Sequence, residues 1–194
     1  MPDAYAVSPW LTPRFPLDDE SLPRGARFTI ADVAPAERFI FRGGEAARAA
    51  SSAAFGADLP VRLGAAHEFG GRAALWLGPD EWLLIAEGEG GEMIAMAIED
   101  ELEGVPHSLV DVSHRQVGLK ISGAAAARAL SAGCPLDLRL KSFPAGMATR
   151  ALFDRAEIVL WRTEETEFRV EVARSFSPWF AAALAEAARG APQF

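Results

Sequence analysis

The sequence has almost none of the residues that build disulfide frameworks or zinc sites. It contains a single cysteine, Cys134, so an intrachain disulfide cannot form. The only histidines, His67, His107 and His114, are scattered, and with one cysteine they give no zinc-ligand spacing. We therefore expect no metal site. The sparse use of cysteine is typical of the reducing cytoplasm, where we expect this protein to reside.

Long apolar runs and basic clusters are also missing. No apolar stretch approaches the ~20 residues that a membrane-spanning helix needs. The opening segment, "MPDAYAVSPW", lacks the basic and then apolar regions of a signal peptide, and we expect none. The net charge is −8 and the pI is about 4.9. Because such a surface repels phosphate on average, we expect neither a nucleic acid nor a membrane as a partner.

Residues 1–27 differ from the rest of the chain. They contain prolines at positions that break helices and strand ladders: Pro2, Pro9, Pro13, Pro16 and Pro23. Between them stand four large apolar residues, Trp10, Leu11, Phe15 and Leu17. A solvated tail does not usually carry such groups, so we predict an extended arm that docks on a surface. That surface belongs either to its own domain or to a partner, and in the second case these four residues are the interface candidates.

The remaining 28–194 predict one domain in which strands and helices alternate. The hydrophobic pattern predicts strands at 37–42, 108–113, 116–121, 149–154, 157–162 and 167–173, and two more within 72–86 around a Gly78-Pro79-Asp80 turn. It predicts helices at 45–55 and 92–104, a third that Ser122 caps, and a last one that begins at Ser177. The first half therefore reads β-α-β-β-α-β, which is the ferredoxin-like order.

The two halves of this domain resemble each other. Residues 43–52 align without gaps on 123–132, and 81–104 align on 167–190 with strand and helix in the same places. We predict an α+β fold made of duplicated ferredoxin-like units. The pseudo-repeats would cover about 37–113 and 116–190, with antiparallel-rich sheets and helices packed on them.

A hydrolase triad is the first chemistry that the sequence brings to mind, because Asp111, Ser113 and His114 are close neighbours. On a strand, alternate side chains point to opposite faces, so Asp111 and Ser113 would lie on one face and His114 on the other. Residues so placed cannot make serial hydrogen bonds from Ser to His to Asp. We predict instead that their side chains bind backbone groups where one strand ends, and that Arg115 pairs with Asp111 if the chain turns.

Other candidate sites also fail on the residues themselves. In "LLIAEGEGGEM" (83–93), a methionine stands where a dinucleotide fingerprint needs its third glycine, and three glutamates would repel a pyrophosphate. Cys134 follows a helix end, where nothing lowers its pKa for nucleophilic work. We therefore expect no catalytic, cofactor or metal residues in this chain, which fits an accessory subunit better than an enzyme.

Several stretches together resemble the gamma subunit of heterotetrameric sarcosine oxidase. They are "LWLGPDEWLL" (75–84), "VDVSHR" (110–115), "GCPLDL" (133–138), "FPAGMATR" (143–150) and "RSFSPWF" (174–180). The signature residues of this resemblance, to which we assign structural roles, are Asp80, Trp82, Asp111, Ser113, His114 and Arg115.

This resemblance implies a place in a larger oxidoreductase complex. Such oxidases demethylate sarcosine to glycine, use oxygen and pass the one-carbon unit to tetrahydrofolate. The family implies that FAD, FMN, NAD and tetrahydrofolate belong to the other subunits, and that gamma packs against alpha in a complex with beta and delta.

A more distant resemblance is to the folate-binding domain of the glycine-cleavage T-protein, an aminomethyltransferase. That family also has Asp-x-Ser-His before a strand, and its later hairpin carries an acid that works with folate. Here the hairpin reads "ALFDRAEIVLW" (151–161), in which Asp154 lies one residue from the expected place. The alternative function is thus a stand-alone folate-binding transferase with Asp154 or Asp111 as its acid. A homo-oligomeric binding module is a third possibility.

Overall fold

The fold is described from a computed structural model, which describes residues 24–25, 27–88 and 90–190. The strands are β1 (Arg24–Gly25), β2 (Phe28–Asp32), β3 (Ala36–Gly43), β4 (Ala66–Phe69), β5 (Arg72–Gly78), β6 (Glu81–Glu87), β7 (His107–Asp111), β8 (Gln116–Ser122), β9 (Ala148–Phe153), β10 (Ala156–Glu164) and β11 (Glu167–Ala173). The helices are α1 (Glu45–Phe55), α2 (Gly91–Glu101), α3 (Ala126–Ser131) and α4 (Ser177–Gly190).

Two antiparallel sheets contain all of these strands. One sheet has the order β1-β2-β8-β11-β10-β9, and the other has the order β4-β5-β6-β3-β7. Without β4, the second sheet runs β7-β3-β6-β5, which is the strand order of a ferredoxin-like unit. The predicted α+β class, with antiparallel sheets and helices packed on them, is confirmed.

The chain crosses between the sheets twice in the same manner. Strand β2 lies in the first sheet and leads into β3 of the second, whereas β7 lies in the second and leads into β8 of the first. At the first crossing the Val33 N–H donates to the Gly118 carbonyl (3.2 Å), and at the second the Val112 N–H donates to the Arg38 carbonyl (2.8 Å). This matching connectivity supports the proposal of two pseudo-repeats. The six-stranded sheet takes β1 and β2 from the segment that precedes the first half.

Strand alternation creates three apolar layers. Helices α1 and α2 cover the outer face of the five-stranded sheet, through residues such as Phe41, Leu84 and Ile98. Helices α3 and α4 cover the outer face of the six-stranded sheet, and the inner faces of both sheets meet each other. Every second residue of a strand points inward, so β11 sends Phe168 to the helices, while Arg169 points to the other sheet.

Some local predictions were wrong. Ser122 does not cap a helix, because it continues the ladder of β8 opposite Thr29 and Glu167. Gly123 then turns the chain with a φ of 108°, and α3 begins only at Ala126. The strand predicted to reach residue 113 ends at Asp111. Strands β1, β2 and β4 were not predicted.

Candidate functional site

The seam between β7 and β8 contains the Asp-Ser-His stretch. The Ser113 hydroxyl accepts a hydrogen bond from the Arg38 N–H of β3 (2.9 Å), and Asp111 accepts one from the Ser113 N–H (2.8 Å). Within the described part of the chain, the His114 imidazole makes no hydrogen bond, so the three side chains form no Ser-His-Asp relay. Ser113 and Asp111 instead accept hydrogen bonds from backbone N–H groups where β7 ends.

The charge of Asp111 is stabilised locally. Partial burial acts to raise the pKa of Asp111, but the hydrogen bonds from Ser113 and the proximity of His114 outweigh it, and the pKa lies below its ordinary value. The expected pairing with Arg115 is wrong, since no ion pair joins these two described residues. The turn instead directs the Arg115 N–H to the Val112 carbonyl, at 3.0 Å.

The hairpin of β5 and β6 contains the signature residues Asp80 and Trp82, and each of them makes a structural contact. Asp80 pairs with Arg42 at 2.8 Å on the surface, and its carbonyl accepts from the Gly43 N–H (3.1 Å). Trp82 is buried, and its indole Nε1 donates to the Pro60 carbonyl at 2.7 Å. This residue therefore fixes the loop that follows α1.

That loop is held at several points. The Leu59 N–H donates to the Ser52 hydroxyl (3.0 Å), and Arg48 donates to the Leu59 carbonyl (3.2 Å). Although its backbone is anchored, the loop exposes Val61 and Leu63 to solvent. A groove of about 550 Å³ lies beside it and is lined by Ser52, Gly56, Ala57, Asp58, Ala66, His67, Glu68 and Phe69.

An ionic cluster joins the inner faces of the two sheets, and of its four members only Glu87 is exposed. Arg38 of β3 donates to Glu171 of β11 (2.6 Å), and Arg169 of β11 contacts both Glu171 (2.8 Å) and Glu87 of β6 (2.7 Å). Burial acts to lower the pKa of Arg169, but Glu171 and Glu87 together raise it above the ordinary value. Each of these charges therefore has an opposite partner, as buried ions require.

Gly118 makes room for this cluster. A Cβ at Gly118 would lie 2.3 Å from the Val33 side chain and 2.8 Å from the Glu171 carboxylate. Sequence reasoning missed Arg38, Glu171 and Gly118. The available signal was "EFRVEVA" (167–173), in which charged and apolar residues alternate. This alternation places Arg169 and Glu171 on one face of β11, and both faces of that strand are buried.

The remaining candidates stand apart. Asp154 occupies the β9–β10 turn with a φ of 51° and contacts Arg155 (3.4 Å), whereas Asp111 ends a strand of the other sheet, and neither lines the groove. Cys134 is buried, and burial raises the pKa of its thiol.

Among the described residues no metal-ligand cluster occurs, and no helix is long and apolar enough to cross a membrane. The four candidates of the arm, Trp10, Leu11, Phe15 and Leu17, lie outside the described residues.

The chain is similar to known proteins over most of its length. Residues 42–190 match the model of the "Sarcosine oxidase, gamma subunit family". The chain is 35% identical over 169 residues to the sarcosine oxidase subunit gamma of Corynebacterium sp. (strain U-96), covering 81% of this chain and 80% of that one. It is 40% identical over 131 residues to the corresponding subunit of an Arthrobacter species, covering 66% of this chain and 62% of that one, just under two thirds of that relative's length.

Solved structures give the same result for the fold. A chain of the heterotetrameric sarcosine oxidase from Corynebacterium sp. U-96, in complex with pyrrole 2-carboxylate, matches with a TM-score of 0.80 and 31% identity. The match covers 89% of this chain and 91% of that chain. The aminomethyltransferase T of the Bartonella henselae glycine cleavage system matches with a TM-score of 0.61 and 14% identity, over 82% of this chain and 45% of that chain, which shows a shared fold alone. The resemblances found in the sequence are thus confirmed, and this chain belongs to the sarcosine oxidase gamma subunit family.

Proposed function

We propose that this chain is an accessory, non-catalytic gamma-type subunit of a heterotetrameric sarcosine oxidase, in which it stabilises the alpha-type subunit. The observation that carries the proposal is the structural match, at 31% identity, to a chain of such an oxidase across 89% of this sequence. The complex would demethylate sarcosine oxidatively to glycine and deliver the one-carbon unit to tetrahydrofolate. Its FAD, FMN, NAD and tetrahydrofolate would be bound by the alpha- and beta-type subunits, with a delta-type chain completing the assembly in the cytoplasm.

Chemical features of the described residues support the accessory role. Two residues of the stretch that first resembled a catalytic triad bind backbone groups: Ser113 accepts from the Arg38 N–H, and Asp111 accepts from the Ser113 N–H. The buried charges of Arg38, Arg169 and Glu171 are paired with one another and with the exposed Glu87. These contacts stabilise the fold, which supports a structural role for the residues that make them.

Co-expression tests the proposal. The full chain is produced with and without the alpha-, beta- and delta-type subunits, and assembly is followed by size-exclusion chromatography with light scattering. We expect this chain to elute with the alpha-type subunit and its omission to reduce the yield of sarcosine-dependent oxygen consumption. Separate elution, with oxidase yield indifferent to this chain, would overturn the proposal.

The alternative, a stand-alone folate-binding transferase, has a distinct test. Isothermal titration of the isolated chain with tetrahydrofolate should give no saturable heat. Saturable micromolar binding that Asp154→Asn or Asp111→Asn removes would favour the transferase instead.

The proposal also assigns a binding role to the N-terminal arm, residues 1–27. We expect deletion of residues 1–20 to weaken binding to the alpha-type subunit more than it lowers the melting temperature of the isolated chain. An unchanged complex with a lowered melting temperature would show that the arm packs on its own domain.

A further inference from the structure

Three large apolar side chains are exposed in the segment 61–69, which contains the edge strand β4 of the five-stranded sheet. Val61, Leu63 and Phe69 are 71%, 73% and 75% exposed. Val61 and Leu63 extend from the loop after α1, and Phe69 ends the edge strand β4. Such a group of exposed apolar residues, which we call the apolar edge, marks an interaction surface more often than a scattered apolar residue does.

The apolar edge is presented by an ordered loop. Before Val61, Trp82 donates to the Pro60 carbonyl, and Leu59 is bonded through both its N–H and its carbonyl. After Leu63, the Gly64 carbonyl accepts from the Ala148 N–H (2.8 Å). Leu59 itself is buried. A loop held in this way loses little conformational freedom when a partner covers it, and that preorganisation favours binding.

Strand β4 adds main-chain groups to this surface. It pairs only with β5, and the bridge between Ala65 and Met147 joins the two sheets just before β4 begins. The strand is the outer edge of its sheet, and the Ala66 N–H donates to the Gly146 carbonyl (3.0 Å). From His67 to Phe69 the main chain has no partner except β5 among the described residues. An unpaired edge of this kind accepts an extended segment as an additional strand.

The charge of the groove restricts what the partner can carry. Its lining includes the carboxylates of Asp58 and Glu68 but no lysine or arginine. Neither carboxylate forms an ion pair with any residue that the structure describes. A complementary segment therefore brings a basic residue together with apolar ones.

We infer that the apolar edge and the adjoining groove form the surface through which this chain binds the alpha-type subunit of its oxidase. The occupant is an extended segment of that subunit whose apolar side chains cover Val61, Leu63 and Phe69. A lysine or arginine of the same segment meets Asp58 and Glu68. This inference rests on the proposed function, because that function supplies the partner.

The experiment compares two matched double substitutions in the full chain. Val61→Glu with Leu63→Glu places charges on the apolar edge, whereas Met93→Glu with Met96→Glu places them on the exposed face of α2, where these methionines are 78% and 58% exposed. Binding to the alpha-type subunit is measured by surface plasmon resonance, and folding is checked by circular dichroism and melting temperature. We expect the first variant to bind about tenfold or more weakly and the second to bind as the wild type does.

A second variant tests the charge argument independently. Asp58→Lys with Glu68→Lys should also weaken binding, and the wild-type affinity should fall as salt is raised. If the wild-type chain does not bind the alpha-type subunit, the proposed function fails. If the wild type binds and the Val61/Leu63 variant, still folded, binds equally well, the surface is wrong and the function stands. Loss of a homodimer in the Val61/Leu63 variant, with the oxidase complex intact, would assign the apolar edge to a second copy of this chain.

Discussion

Arg38 of β3 donates through Nε to the Glu171 carboxylate of β11 at 2.6 Å, and this buried ion pair joins the two sheets. The backbone of Arg38 also takes part in the crossing, because its N–H donates to Ser113 and its carbonyl accepts from the Val112 N–H (2.8 Å). One residue thus connects the sheet interface with the seam that carries the family signature.

Glu171→Gln should strongly destabilise the fold. The substitution keeps the side-chain shape but leaves two buried arginines, Arg38 and Arg169, without their shared counter-ion. Loss of one partner from a buried pair costs about 3–5 kcal/mol, which chemical denaturation measures. The exposed pair of Glu186 and Arg189 gives the matched control. Glu186→Gln should change the free energy of unfolding by about 0.5 kcal/mol or less. Equal stability of the two variants would contradict the importance of the cluster.

Trp82→Phe should loosen the loop after α1. The substitution keeps most of the buried ring but removes the donor to the Pro60 carbonyl, an effect of about 1–3 kcal/mol. We expect faster amide exchange in residues 57–65 and, if the apolar edge is the interface, weaker binding to the alpha-type subunit.

Trp161 supplies the control for Trp82. It is also buried, yet its indole Nε1 has no hydrogen-bond partner among the described residues. Trp161→Phe should therefore cost less than Trp82→Phe in thermal denaturation, and it should leave exchange in residues 57–65 unchanged. The reverse ranking would show that ring packing, and not the hydrogen bond, fixes the loop.

Ser113→Ala should act on stability and not on chemistry. It removes the acceptor for the Arg38 N–H, with a loss of about 1–3 kcal/mol in the free energy of unfolding. His114→Ala should change that free energy by about 0.5 kcal/mol or less, because the imidazole has no hydrogen bond in the described structure. Both variants, once assembled, should support the wild-type rate of sarcosine-dependent oxygen consumption per complex. A large fall in turnover with His114→Ala would restore a chemical role to the signature.

Asp137 should titrate at unusually low pH. Its carboxylate accepts hydrogen bonds from Arg139 (2.8 Å) and Ser142 (2.7 Å), and these hold its pKa far below the ordinary 3.8. Because the folded pKa is depressed, its stabilisation of the segment is present above pH 3.8 and is lost as the pH falls through the folded value. Carbon-13 NMR of the aspartate carboxyls measures this midpoint directly. A midpoint for Asp137 at its ordinary value would contradict these contacts.

The strand and helix pattern was largely readable from the sequence. The hairpin of β5 and β6 and helix α1 were predicted because turn residues and apolar periodicity coincide there. β4 was missed because its "AHEF" is almost entirely exposed and has no apolar alternation. β2 was missed because its longer pairing is with β8, far along the chain, and its other neighbour, β1, has only two residues.

The sequence by itself determined the α+β class, the antiparallel pairing of neighbouring strands and the family, because these depend on local periodicity and on short motifs. Only the tertiary structure decided that the chain crosses between the sheets, that Arg38 meets Glu171, and that Val61, Leu63 and Phe69 are left exposed. These relationships join residues that are distant in sequence, and a local pattern does not record which distant partner will neutralise a charge or leave an apolar side chain uncovered. The signature Asp111-x-Ser113-His114 illustrates this difference. Its residue types identify the family, whereas only the structure shows that Ser113 binds the backbone of Arg38.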